Sequence, residues 1–341
     1  MFGPLEVLLV GGSGFMGRHV ARALIGGGHH VTVLSRGRRE AVESVRMLSA
    51  NRRDPGALAA ALRGLRFDLT IDFLVYDAPD LDWLERLPAA ALGRYVMISS
   101  GQVYLVTESA EPPFREDDAR RPVVPEPPAG TRDHANWSYG MGKRRAEQAL
   151  LELRDTHGLP GVALRLPIVQ GEGDGSLRLW AYLERMLDGG PLVLPDGGRR
   201  VTRFLFVGDL AATMVRLADA PPALDAAYNL AQPDVLPLRE FLARVANAAG
   251  TAPKFVAASW EECRAAGLDD DFSPYAGTWC SVLNPARATS ELGFVGTPLD
   301  DYLPEVVRGH LKHRPAMSDR GYAQRARELE LAARRGGAAG P

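Results

Sequence analysis

The sequence predicts an α/β protein: a doubly wound parallel sheet with helices on both faces, followed by a smaller C-terminal region. Strand-length apolar runs alternate with helical patterns over the first 170 residues, as a parallel sheet with crossover helices requires. A glycine-rich turn, "GGSGFMG" (11–17), joins the first apolar run to the first helical pattern. Beyond residue 170 the alternation becomes scattered, which marks a change of organisation.

Taken in order, "EVLLV" (6–10) is continuously apolar and reads as a buried strand, and "GRHVARALIGGG" reads as a helix ended by glycines. "HVTVLSR" is the second strand, "PGALAAALRG" the second helix and "DLTIDFLV" the third strand. "RYVMISS" (94–100), a helix around 139–156 and "GVALRLPIV" (161–169) continue the alternation. The stretch 105–136 is rich in proline and charge and reads as a long irregular insertion, either a functional lid or a mobile surface loop. Residues 1–170 are thus one domain carrying that insertion, and 171–315 mainly a second region, from which "FLFVGD" can return to the main sheet. Residues 316–341 are expected to form an exposed helix and a frayed glycine-rich end.

Composition excludes several functions. A net charge of −2 with no polybasic run offers no footprint for nucleic acid. No apolar stretch approaches the ~20 residues that cross a bilayer, and the N-terminus carries no basic leader, so a soluble cytoplasmic protein is expected. Cys263 and Cys280 are too few for a disulfide framework and fit a reducing compartment. His310 and His313 lack carboxylate partners at ligand spacing, so no metal site is expected.

Gly11, Gly14 and Gly17 stand at G-x-x-G-x-x-G spacing between a strand and a helix. Such a turn lets backbone N–H groups approach a pyrophosphate at the positive end of the helix, although close packing alone also calls for glycine. The strand–turn–helix context favours a Rossmann-type dinucleotide site, with Gly11, Gly14, Phe15, Met16 and Gly17 as its contacts. At the end of the second strand, "VLSRGRRE" puts Ser35 and Arg36 where an NAD site usually carries an acidic residue, and Arg38 follows. Guanidinium groups pair with a 2′-phosphate, so NADP is preferred over NAD; a solvated basic loop is the alternative.

With the glycine turn, "SSGQVY" (99–104) and "YGMGK" (139–143) in place, the sequence resembles the extended short-chain dehydrogenase/reductase family of NAD(P)-dependent epimerases, dehydratases and reductases. The resemblance covers roughly residues 5–312 and extends to "LRLPIVQGEGD", "FVGDLA", "AYNLA" and "ARATSELGFVGTPLDDYL". It implies that Tyr139 is the general acid/base and that Ser100 donates to the substrate oxygen, with Ser99 in a structural place. A tyrosine with a pKa near ~10 is a poor base at neutral pH. Lys143, one helical turn on and one of only three lysines in the chain, favours the phenolate and, as in the family, would hold the nicotinamide ribose. Arginine's planar fork does not replace a compact ammonium there.

Departures from the family narrow the substrate. Gly101 and Gln102 replace the Asp-Glu pair of sugar dehydratases, which removes the acid and base that dehydration needs. Ile168 replaces an asparagine, and Thr202 stands where many sugar-nucleotide enzymes keep an arginine, with Arg199, Arg200 and Arg203 nearby. Asn51 replaces an aspartate that commonly faces adenine and still hydrogen-bonds it; with Leu74 it completes the candidate cofactor contacts. The expected function is an NADP(H)-preferring oxidoreductase acting on a carbonyl or secondary alcohol, with a small molecule as its partner. A sugar-nucleotide 4-epimerase with tightly held NAD is the alternative, and a non-catalytic dinucleotide-binding or RNA-associated relative is a second. A homodimer is possible through the helix that carries Tyr139 and Lys143, as in the family.

Overall fold

The apolar run at the N-terminus forms β1 (Glu6–Val10), and its last four side chains are buried. Val7 and Leu9 point to one side of the sheet, while Leu8 and Val10 point to the other, the two-residue period of a strand covered on both faces. The computed structural model describes residues 3–37, 42–52, 54–218, 226–315 and 321–337. It divides into two units, the first comprising Met1–Val169, Leu205–Ala231 and Leu283–Gly296.

The first unit holds a seven-stranded sheet. After α1 (Phe15–Gly26) come β2 (His30–Ser35), β3 (Arg46–Ser49), α2 (Pro55–Leu62), β4 (Leu69–Asp72), β5 (Arg94–Ser100) and β6 (Gly161–Leu166). The spatial order runs from the strand Ala227–Asn229 through β6, β5, β4, β1 and β2 to β3, every pair parallel. Strand order therefore reverses between β1 and β4, and ligands of such sheets bind beyond the strand ends at that switch point. α1 and the helix Val207–Ala218 cover one face; α2 and the helix Arg132–His157 cover the other.

Several boundaries differ from the sequence expectation. The third strand stops at Asp72, because its carboxylate accepts the N–H of Leu74 at 2.8 Å and turns the chain. β3 has no counterpart in the expected order; it is an edge strand whose side chains are mostly exposed, so it lacks an apolar run. The helix expected from 139 begins at Arg132, capped by Thr131, whose hydroxyl accepts the N–H of His134 at 3.1 Å. The end of the proline-rich insertion is therefore helix.

The rest of that insertion is built into the unit. Glu108 N–H donates to the Pro122 carbonyl at 2.8 Å, Val124 N–H donates to that of Val106 at 3.0 Å, and Phe114 stacks on Tyr104 with centroids 5.2 Å apart. The Glu116 carboxylate accepts the N–H of Asn229 at 2.9 Å. Residues 106–124 form a strap pinned to the edge strand of the sheet rather than a detached loop.

The second unit comprises Gln170–Phe204, Gln232–Val282 and Thr297–Pro341. Its parallel pair, Leu192–Pro195 with Phe255–Ala258, packs against the helix Arg325–Gly337, and Phe204, Tyr182, Phe241 and Tyr275 form an aromatic core. Arg185, fully buried, donates to Glu328 at 2.9 Å. Glu328 also accepts the N–H of Val193 at 2.9 Å and Arg325 at 2.7 Å. Arg325 in turn forks onto Asp188 with two contacts of 2.7 Å. The glycine-rich end, 338–341, lies outside the described residues. Among the described residues no helix is long and apolar enough to cross a membrane.

Candidate active site

β1 delivers the chain to Gly11, whose φ of +79° is accessible to glycine at little cost. A Cβ there would lie 2.5 Å from Cγ of Leu74, and one at Gly17 would lie 2.5 Å from Cα of Gly12. Packing within the protein therefore demands both glycines. Gly14 is different: its Cβ would meet nothing nearer than the Gly11 carbonyl oxygen at 3.6 Å. It sits at the N-cap of α1, with no capping side chain and no acidic residue in the first turn. The positive end of the helix is left to a ligand, and the missing side chain keeps the approach open. These residues fit the diphosphate of a dinucleotide. Phe15 and Met16 follow on the same first turn, Phe15 edge-on to His19 at 5.6 Å.

Ser35 ends β2 and its hydroxyl accepts the N–H of Gly37 at 3.2 Å; Arg36 is exposed beside it. Arg38 lies outside the described residues. Asn51 is exposed just after β3. Its neighbour Arg52 donates to Asp72 at 3.2 Å and to the Asp80 carbonyl at 3.0 Å. Asp72 is fully buried, accepting also from Tyr95 Oη at 2.9 Å; burial pushes its pKa up against the pull of Arg52. This network ties the segment behind Asn51 to the turn that carries Leu74. An aspartate inside the apolar run "TIDFL" is its visible sign in the sequence.

Ser100 stands half-buried at the end of β5, its hydroxyl accepting the N–H of Gln102 at 3.2 Å. Tyr139 and Lys143 project from the helix Arg132–His157 one turn apart. Gly140 and Gly142 bring that helix close: a Cβ at 140 would lie 2.8 Å from the Gln102 carbonyl oxygen, and one at 142 would lie 2.5 Å from that of Tyr76. The glycines of "YGMGK" thus seat the helix against both the Ser100 turn and the segment after β4.

Lys143 is only 3% exposed, and its ammonium donates to the carbonyls of Ile98, at 2.9 Å, and Val75. It lies 5.7 Å from the ring centroid of Tyr139 and 5.2 Å from that of Tyr76. Burial pushes its pKa down to about 8, against the opposing pull of Asp72 and Glu147. Glu147, one turn further on, accepts the Ser99 hydroxyl and binds Arg165 through contacts of 2.6 and 3.0 Å. Arg165 donates to Tyr104 Oη at 2.8 Å, which donates to Asn229 at 2.7 Å. Ser99 is thus a core anchor, while Ser100 beside it stays accessible. Tyr76, Glu147 and Arg165 join the site only through folding, and no local spacing announces them.

The model of the NAD-dependent epimerase/dehydratase family matches residues 7–231, from β1 to just past the last strand of the parallel sheet. The chain belongs to this family. The 2'-dehydrokanamycin reductase of Streptomyces kanamyceticus is 30% identical over 289 residues, covering 82% of this chain and 77% of that protein. The 2-alkyl-3-oxoalkanoate reductase of Stenotrophomonas maltophilia is 28% identical over 73% of this chain and 77% of its own length. Among solved structures, the UDP-glucose 4-epimerase of Thermus thermophilus in complex with NAD superimposes with a TM-score of 0.67 at 21% identity, covering 91% of this chain and 100% of that one. Membership of an NAD-dependent family accords with the Rossmann-like sheet.

In the second unit of this family member, Arg203 donates to the carbonyls of Gln232 at 2.7 Å and Pro233 at 3.2 Å. Thr202 donates to the Leu236 carbonyl at 3.0 Å and Arg200 to that of Thr278 at 3.0 Å. Both arginines are engaged by backbone.

Proposed function

We propose that the chain is a reductase of ketones, prefers NADP(H), and uses Tyr139 as proton donor. The observation that carries this reading is the buried ammonium of Lys143, 5.7 Å from the Tyr139 ring and held by neutral carbonyls. Bound at the glycine turn, the cofactor supplies the hydride that reaches the carbonyl carbon. The N–H groups at the start of α1 bind its diphosphate; Ser35 and Arg36 take the 2′-phosphate, Asn51 the adenine, and Leu74 packs alongside. As charge builds on the substrate oxygen, the Ser100 hydroxyl donates to it and Tyr139 delivers a proton. Lys143 favours the resulting phenolate. The alcohol leaves, and Tyr139 regains its proton from solvent.

Two similar proteins named as reductases support this direction over epimerisation. So do arginines 200 and 203, engaged by backbone carbonyls; Gly101 and Gln102, in place of the dehydratase acids, count against dehydration. The test is consumption of NADPH and NADH over a ketone panel. Wild type should favour NADPH, and Tyr139→Phe should lose about 10³-fold in kcat while binding NADPH as before. Undiminished turnover by Tyr139→Phe would remove the mechanism, whereas co-purified NAD with sugar-nucleotide turnover would make the chain an epimerase.

A further inference from the structure

We infer that Tyr76 is a substrate-contacting residue, whose ring receives the flat or cyclic body of the ketone that Tyr139 protonates. The inference rests on the reductase reading above. The main chain at Tyr76 is clamped. Its N–H and that of Asp77 donate to the Asp80 carboxylate at 2.7 and 3.1 Å. Its carbonyl lies against Gly142, and the Asp77 carboxylate forks onto Arg145, with Nε at 2.8 Å. The side chain on this fixed backbone is nonetheless 53% exposed, more than the 37% of Tyr139, and belongs to neither cluster that covers the sheet.

The ring stands beside the proposed proton donor and its lysine. Its centroid lies 6.4 Å from that of Tyr139, inclined by 53°, and 5.2 Å from the Lys143 ammonium. Two residues earlier, Leu74 packs on Gly11 of the dinucleotide turn. The segment 74–76 therefore runs from the cofactor turn to the proton donor, and a carbonyl compound between them lies against Tyr76. A rigidly presented, half-exposed tyrosine offers an apolar face to a planar or cyclic skeleton and little to a short open chain. The recognised class is a ketone whose carbonyl is flanked by a ring.

Two ketones separate contact from chemistry: 1-tetralone, cyclic and planar, and 2,3-butanedione, short and acyclic. Tyr76→Ala should lower kcat/KM for 1-tetralone about tenfold, mainly through KM, and change that for 2,3-butanedione less than about twofold. Tyr76→Phe should behave as wild type, and NADPH affinity should be unchanged in both variants. Equal losses for the two ketones, no loss for either, or weakened NADPH binding would overturn the inference. Calorimetric titration of 1-tetralone into NADP-loaded Tyr139→Phe, and into Tyr76→Ala/Tyr139→Phe, reads the contact without turnover. Binding about tenfold weaker in the double variant supports it; equal binding, or none in either, sinks it. If wild type reduces neither ketone yet that binding difference holds, the contact stands and the reductase reading falls.

Discussion

Lys143 in the first unit and Arg185 in the second are both buried cations, held in opposite ways. Lys143 rests on the neutral carbonyls of Ile98 and Val75, and burial brings its pKa down to about 8. Arg185 meets the carboxylate of Glu328 at 2.9 Å, and Glu328 is completed by Arg325 and the Val193 N–H. A desolvated cation among neutral dipoles sits near its titration point, which serves proton chemistry. A cation locked to a fully bonded carboxylate serves architecture.

Lys143→Met should break the comparison most deeply. Activity should fall by about 10³-fold, since the phenolate of Tyr139 loses its partner. The thermal midpoint should hold or rise because a costly buried charge has gone. NADPH oxidation and a melting curve check the two halves; a collapse of the melt would place Lys143 with Arg185. Glu328→Gln is the converse. It leaves two buried arginines short of a carboxylate and should destabilise the protein by about 3–5 kcal/mol in denaturant titration, with kcat of the folded enzyme unaltered.

The glycine turn sharpens the contrast between what the fold needs and what a ligand needs. Gly14→Ala should weaken NADPH binding by about tenfold to a hundredfold, measured by fluorescence titration, without lowering the melting temperature. Gly17→Ala should lower the melt, because its Cβ meets backbone 2.5 Å away. The smallest expected effect is on pH. As the ammonium loses its proton, kcat should fall by about threefold between about pH 7.5 and 8.5. Stability should move the other way: above about 8 and below the ordinary 10.5, the unfolded chain holds a proton that the native lysine has released, so unfolding becomes harder as pH rises. Lys143→Met should flatten that rise in a pH series of denaturant titrations.

Legibility followed the range of the interactions. β5 spans the stretch 94–100 that its apolar run predicted, and the glycine turn and "YGMGK" were readable because their geometry is set within a few residues. Thr131 caps the helix that carries Tyr139, and the prolines before it mask that start in the sequence. Glu116 bonding Asn229, Glu147 bonding Arg165, and Asp72 joining Arg52 to Tyr95 link positions 18 to 113 residues apart. No local pattern signals such pairs. Tyr76 was hidden for another reason: its importance lies in which helix its backbone touches.

That touch has a consequence for how this protein can diversify. Between Tyr139 and Lys143 the two glycines cannot vary, since any side chain at 140 or 142 would drive the helix off its neighbours. The helix that carries Tyr139 is in effect frozen at these two positions. New appetites for other molecules would have to be acquired from the opposite bank, where the segment following the third apolar run tolerates a change of side chain without a change of path.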